Sequence, residues 1–328
     1  MFFYIISGFL ISFVLRSKYE DSKIGTIGFY KSRFIRIFSL YWPLAIFTLI
    51  FVQAAQYRFL HSPVSDKFTN LFLFGIDWNL AFSHYPARNE AAAIWCLDQA
   101  WTLGAELTFY LLAPLILRSY SLTFGVLAIS VATRAIAVAK FGFVEAWTYW
   151  FLPSIILFFM LGHLAGIAAE RASLLKRPTV GASLIGVCVV SLMFPTYALW
   201  DSGRFWLSIT CFAFGLPGVF EGTRDNKFLN RCGELSYPVY LVHLLSLHLL
   251  EEENVFKTIF EKFGKSALAV YLVMASALTM SVVSAALVQR YVELPTASLL
   301  RRCFRQSKRS HAPSSDNSPP PSTLAPAA

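Results

Sequence analysis

The chain has 328 residues, 56% hydrophobic and 14% charged, with a mean hydropathy of +0.55 and a formal net charge of +9. A soluble domain carries about 25% charged residues, so this balance excludes an ordinary soluble enzyme and points to an integral membrane protein. The basic residues lie in short stretches between apolar runs, which argues against a nucleic-acid partner.

The first forty residues organise the rest. An apolar run, MFFYIISGFLISFVL, is followed by a basic turn, RSKYEDSK, and then by FYKSRFIRIFSLYWP, which opens a second apolar helix. Met1 leads straight into the apolar run without a basic n-region, so a span rather than a cleaved signal is expected. Arg33 and Arg36 stand three residues apart and share one helix face. Guanidinium groups hold phosphates through forked hydrogen bonds, and this face suits the phosphates of an acyl donor. The alternative is that both are ordinary positive-inside anchors.

Nine spans are expected, each near the length needed to cross a hydrocarbon core of roughly 30 Å. They run approximately 1–15, 38–54, 101–117, 121–139, 149–169, 180–199, 205–220, 236–250 and 267–289. The run 68–82 is short and carries Asp77. If it spanned, Arg171, Lys176 and Arg177 would fall outside, against the positive-inside rule. The segment 55–100 therefore reads as external with a re-entrant or interfacial piece. On that count more than twice as many Lys and Arg lie inside as outside. The C-terminus is then inside and Met1 outside, a disposition most simply explained by a further helix ahead of residue 1. Residues 1–300 form the membrane domain, and 301–328 read as a disordered tail, basic and then Pro/Ser-rich.

Ionisable groups inside apolar spans are costly and face a partner or a cavity. Glu106 in AWTLGAELTFYLLAP and Arg134 in AISVATRAIAVAK are of this kind. Each either satisfies polar groups of a neighbouring helix or lines a polar cavity. His163 and His243 lie within spans, where a histidine is a structural partner or a general base. His243 and His248 are five apart, on different faces, and do not form a metal pair. Asp77, His84, Glu90 and Asp98 show no ligand spacing and read as solvated. Glu293 lies just before Pro295, where a charged helix end stopped by proline is expected; it is also positioned to clamp Arg33 or Arg36. The five cysteines are scattered, without C-x-x-C, and imply neither zinc nor a disulfide framework. No P-loop, H-E-x-x-H or G-x-S-x-G is present.

These segments together resemble the integral membrane acyltransferase family 3, the sugar O-acyltransferases of bacterial envelopes. The matching pieces are FFYIISGFLI, FYKSRFIRIFSLYW, AWTLGAELTFYLLAPLIL, FFMLGHLAG, LSYPVYLVHLL and YVELPTASLL, in family order. The resemblance implies an all-α bundle of ten membrane helices that takes an acyl group, usually acetyl, from cytoplasmic acyl-CoA. The acceptor is a hydroxyl of a carbohydrate or glycolipid, and the setting is the bacterial inner membrane. Acyl-CoA is a co-substrate, with no bound cofactor and no metal. Arg33 and Arg36 match the family's R-x-x-R, assigned to the acyl donor, and Glu106, His243 and Glu293 also fall on motif positions. Family members begin with one more helix, bearing a basic residue and the histidine thought central to transfer. Without that helix His243 becomes the fallback base, with Glu106 as its orienting partner. Ser39 stands where the family has proline, and residues 308–328 are not expected to hold the SGNH hydrolase-like domain that some members append. Two other functions fit the same residues: a carrier of a lipid-linked sugar, and a non-catalytic truncated member of the family.

Overall fold

The structure is a computed structural model and describes residues 1–19, 23–82, 97–143, 146–193 and 203–310. Among these residues there are helices and turns and no strand. The N-terminal part holds α1 (Phe2–Lys18), α2 (Lys23–Phe51), α3 (Gln53–His61), α4 (Val64–Phe72) and α5 (Ile76–Phe82). The middle holds α6 (Trp101–Ile116), α7 (Tyr120–Phe141), α8 (Leu152–Arg171), α9 (Pro178–Met193) and α10 (Gly203–Thr223). The rest is α11 (Lys227–Glu252), α12 (Val255–Phe263), α13 (Ala267–Val288) and α14 (Leu294–Ser310). Each of the nine expected spans overlaps one of these helices, but α11, which carries the span expected at 236–250, is not among those apolar enough to count as a membrane span. Gly25–Phe51, Tyr120–Phe141, Leu152–Arg171, Gly203–Thr223 and Ala267–Phe304 are long and apolar enough to cross a bilayer. Phe2–Ser17, Trp101–Ile116 and Pro178–Met193 are apolar but shorter. The protein is an all-α polytopic membrane protein.

The most enclosed helix is α8, with 72% of its apolar stretch buried against 11% for Ala267–Phe304. Lipid is as apolar as leucine, so helices associate in it by close packing and small residues rather than by hydrophobic transfer. The contact of α1 with α8 is of this type. A Cβ added to Gly8 would overlap the Phe159 carbonyl, and one added to Gly162 would overlap that of Ile5. The two backbones therefore touch, and the larger rings fill the space beside them. Phe159 stacks on Phe109 of α6 with centroids 4.1 Å apart, and Tyr4 leans on Phe159 at 4.8 Å. One turn beyond Gly8, Ser12 Oγ lies 2.6 Å from His163 Nδ1, so His163 serves as a buried interhelical partner.

The segment 64–82 does not span. Its helices, α4 with 9 residues and α5 with 7, reach at most about 14 Å each at 1.5 Å per residue. Leu73 breaks between them with φ +60°, and Gly75 follows at φ +77°. The turn is pinned from α2, where Tyr41 donates to the Asn70 carbonyl and Trp42 Nε1 to that of Leu71, the latter at 2.9 Å. Leu73 and Ile76 sit fully buried against Gly104 of α6. This re-entrant piece overturns one expectation. Asp77 is not solvated: it is fully buried, because α5 dips into the bundle instead of running along its surface. His84 and Glu90 lie outside the described residues, as does the side chain of Asp98.

Pro295 does not stop the last helix. A five-residue π turn, Gln289–Glu293, follows α13 and leads into α14, where Pro295 is the second residue. A proline in a first helical turn lacks only an N–H that needs no partner there, and the wider turn accommodates the change of register. The basic residues 301–310, expected in the tail, are the C-terminal part of α14.

The α1–α8 contact gives a first prediction. Gly162→Leu forces the two backbones apart and lowers thermal stability in detergent by about 3 kcal/mol or more. The same change at Gly186, which has no neighbouring atom within 4 Å, leaves the melting temperature almost unaltered.

Candidate active site

The R-x-x-R pair lies on α2 and opens onto a cavity of about 500 Å³ at one end of the bundle. Its wall carries Lys31, Arg33 and Arg36 from α2, Arg231 from α11 and Arg301 from α14. Two carboxylates, Glu234 and Glu293, also line it. Lined by five cations and two anions, the space favours an anionic occupant.

Arg36 lies 3.5 Å from Glu293 Oε1 and over the ring of Tyr237, 4.9 Å from its centroid. The expected clamp between Glu293 and this arginine pair is thus present, through Arg36. The π turn turns Glu293 inward, leaving it 6% exposed, and its Oε2 is buried without a partner among the described residues. Arg33 behaves differently. Its guanidinium packs on the rings of Phe29 and Tyr110, 5.8 Å from each centroid, and its buried Nε has no partner among the described residues. A buried unpaired donor and a buried unpaired acceptor in one wall are costly unless a ligand completes them.

Tyr110 connects this cavity to the interior. Its hydroxyl donates to Glu106 Oε1, and Ser7 Oγ of α1 donates to the same oxygen at 2.6 Å. Glu106 is buried at 6% exposure and is satisfied by these two hydroxyls. Toward the other end, Tyr240 of α11 donates to the Gln99 carbonyl and accepts from Thr102. His243 lies one turn further, its Nδ1 2.7 Å from the Tyr240 carbonyl. A carbonyl only accepts, so in the neutral ring the proton sits on Nδ1 and Nε2 keeps its lone pair, as a general base requires.

Glu106 and His243 are not partners. Tyr240 meets Thr102, four residues before Glu106 on one helix, while His243 is three residues beyond Tyr240 on the other. At 1.5 Å per residue the two groups differ in depth by about 10 Å. Glu106 instead orients Tyr110 and Ser7. Arg134 satisfies a neighbour: it donates to the Thr148 carbonyl at 2.6 Å, within the π turn Ala146–Trp150, and packs on Phe158.

A second cavity, of about 660 Å³, lies beside the C-terminal end of α1 and includes Ser12, Arg16, Arg118 and Glu170. Its cations are engaged already: Arg16 pairs with Glu170, and Arg118 donates to the Tyr19 carbonyl at 3.0 Å and to Thr26 at 3.2 Å. The cavity at Arg33 is the better anion site. No cluster suited to a metal ion occurs among the described residues.

Sequence reading missed Ser7, Tyr110, Tyr240, Arg231 and Arg301. Tyr110 had a signal, standing four residues after Glu106 on the same helix face. Arg231 and Arg301 had none, since they join the site only through packing.

The fold and these internal polar groups define a polytopic membrane protein with a substrate-sized cavity at one end. Residues 1–287 match the family model for the acyltransferase domain, and the chain belongs to acyltransferase family 3. It shares 28% identity over 191 residues with an uncharacterized protein of Aquifex aeolicus (strain VF5), covering 55% of this chain and 85% of that protein. No solved structure matches.

Two predictions follow from the charges. In a double-mutant cycle, Arg36→Ala and Glu293→Ala couple by about 1 kcal/mol in thermal stability, because Glu293 is buried but Arg36 is partly solvated. Asp77, outside the spanning helices, has its pKa raised from 3.8 to about 6 by burial. The backbone N–H groups of Asp77, Trp78 and Leu152 face the carboxylate and oppose the rise without cancelling it, and neither oxygen has a well-aligned hydrogen-bond partner among the described residues. With the folded pKa above the unfolded one, the folded state binds the proton more tightly, and stability falls as pH rises from about 4 to 6. Asp77→Asn removes this loss. The variant melts higher than the wild type at pH 8, by about 3 kcal/mol, and the gap closes as pH is lowered toward 4.

Proposed function

We propose that this membrane acyltransferase moves an acyl group, acetyl in the simplest case, from cytoplasmic acyl-CoA to a hydroxyl of an envelope carbohydrate or glycolipid. The setting that fits is a bacterial inner membrane, with the Arg33 cavity at the cytoplasmic face, where positive charge is retained. The observation that carries the reading is the cavity itself: net positive, with the unpaired Arg33 Nε and Glu293 Oε2 in its wall. Arg33 and Arg36 are suited to the diphosphate through charge-assisted bonds. Glu293 Oε2 is suited to an amide N–H of the pantetheine arm.

Transfer needs a base for the acceptor hydroxyl and stabilisation of the thioester oxyanion. His243 supplies the base through Nε2: it takes the hydroxyl proton while the oxygen attacks the thioester carbonyl, the tetrahedral intermediate collapses with cleavage of the C–S bond, and the proton passes from the imidazolium to the departing CoA thiolate. The Tyr110–Glu106–Ser7 group forms a polar lining between donor cavity and acceptor end, with Glu106 holding the two hydroxyls in place.

The test uses purified full-length protein in nanodiscs, with binding of acetyl-CoA by calorimetry and release of CoA thiol in the presence of carbohydrate acceptors. Arg33→Ala and Arg36→Ala each weaken acetyl-CoA binding about tenfold or more, the magnitude of a charge-assisted hydrogen bond, while the protein remains folded. His243→Ala leaves binding intact and lowers thiol release by about 10²-fold or more. Binding without any thiol release, with every acceptor tried, would favour a carrier.

A further inference from the structure

The donor cavity has cations beyond the R-x-x-R pair, and they differ from it in depth. Arg33 is packed between rings with a buried Nε, and from it Tyr110 and Glu106 lead into the bundle. Arg231 is at the mouth, its side chain 64% exposed and paired at 3.2 Å with Glu234, itself 60% exposed. An exposed pair of this kind contributes little and is readily given up to a ligand. Arg301 is exposed, with no ion pair among the described residues. It is nonetheless placed with care. Three residues later on the same helix, Phe304 packs edge-on against Phe34 of α2 at 5.9 Å, and Lys31 Nζ lies 5.3 Å over the Phe304 ring. This contact docks α14 on α2 and holds Arg301 in the wall of the cavity that Arg231 also lines.

Resting on the donor reading above, we propose that Arg231 and Arg301 form a separate phosphate subsite at the cavity mouth that takes the ribose 3′-phosphate of coenzyme A. The deeper Arg33 and Arg36 keep the diphosphate. The two levels of positive charge give the donor a direction. Its nucleotide stays at the mouth, and its pantetheine arm runs past Glu293 and Arg33 toward Tyr110 and Glu106, so that the thioester is carried inward. Two phosphate positions select against acyl thioesters that lack a nucleotide, and against coenzyme A lacking the ribose phosphate. Phe304 is the positioning residue of the subsite.

The experiment compares coenzyme A with 3′-dephospho-coenzyme A, by calorimetry on the full chain in nanodiscs. The wild type binds coenzyme A about tenfold or more tightly than the dephospho form, the magnitude of one charge-assisted contact. Arg231→Gln with Arg301→Gln abolishes that preference and leaves affinity for the dephospho form unchanged. Phe304→Ala reduces the preference although both arginines remain, and Arg301→Lys restores part of it. A wild type that binds both ligands equally overturns the subsite, as does a double variant that weakens both alike. Failure of the wild type to bind either ligand overturns the donor reading itself. Tight binding with no phosphate preference sinks only the subsite and leaves that reading standing.

Discussion

A carboxylate enclosed in a membrane bundle is tolerated only when its own protein supplies the donors that water would supply. Glu106 meets this condition with hydroxyls from two helices, Ser7 of α1 and Tyr110 of its own α6. Much else depends on that arrangement. Ser7 reaches Glu106 because α1 lies tightly on α8 beside it, and that approach exists because Gly8 and Gly162 carry no side chain. Tyr110 can face Glu106 at one edge and Arg33 at its ring because Phe29 and Tyr110 box the guanidinium between them. One satisfied carboxylate thus ties packing at the centre to the charge at one end.

At that end the protein keeps positive charge unspent. Arg36 has Glu293, but Arg33 has the faces of Phe29 and Tyr110 and the Tyr110 hydroxyl, and neither Arg33 nor Arg301 has a carboxylate at ion-pair distance among the described residues. The second cavity shows the contrast. There Arg16 and Arg118 are consumed by a carboxylate, a carbonyl and a hydroxyl of the protein itself. Unpaired charge is destabilising to the empty protein, and among the described residues the Arg33 cavity retains more of it than the cavity at Arg16.

The α4–α5 piece and the π turn at 289–293 are irregular backbone within the helical bundle. Both are tolerated because protein surrounds them. The first buries Leu73 and Ile76 against Gly104, and the second is packed against α2 and α14 while Gln289 Nε2 donates to the Glu234 carbonyl at 3.2 Å. Each also re-aims a carboxylate inward, Asp77 in one case and Glu293 in the other. A straight continuation would have pointed these groups elsewhere.

Apolar run length and the spacing of basic residues are local properties, and the sequence by itself determined the helical class, the approximate positions of the helices that carry the nine expected spans and the non-spanning nature of 68–82. Six motifs in order also determined the family, and they singled out Arg33, Arg36, Glu106, His243 and Glu293 as candidates. The clamp between Arg36 and Glu293 was legible as one of two pairings. Only the tertiary structure decided that Glu106 belongs with Tyr110 and Ser7 rather than His243, since depth along two antiparallel helices depends on how they are docked. It alone buried Asp77, because a left-handed turn at Leu73 redirects α5, and it alone carried the chain through Pro295 into α14. Arg231 and Arg301 join the cavity for the same reason: their positions depend on long-range packing, which no local pattern encodes.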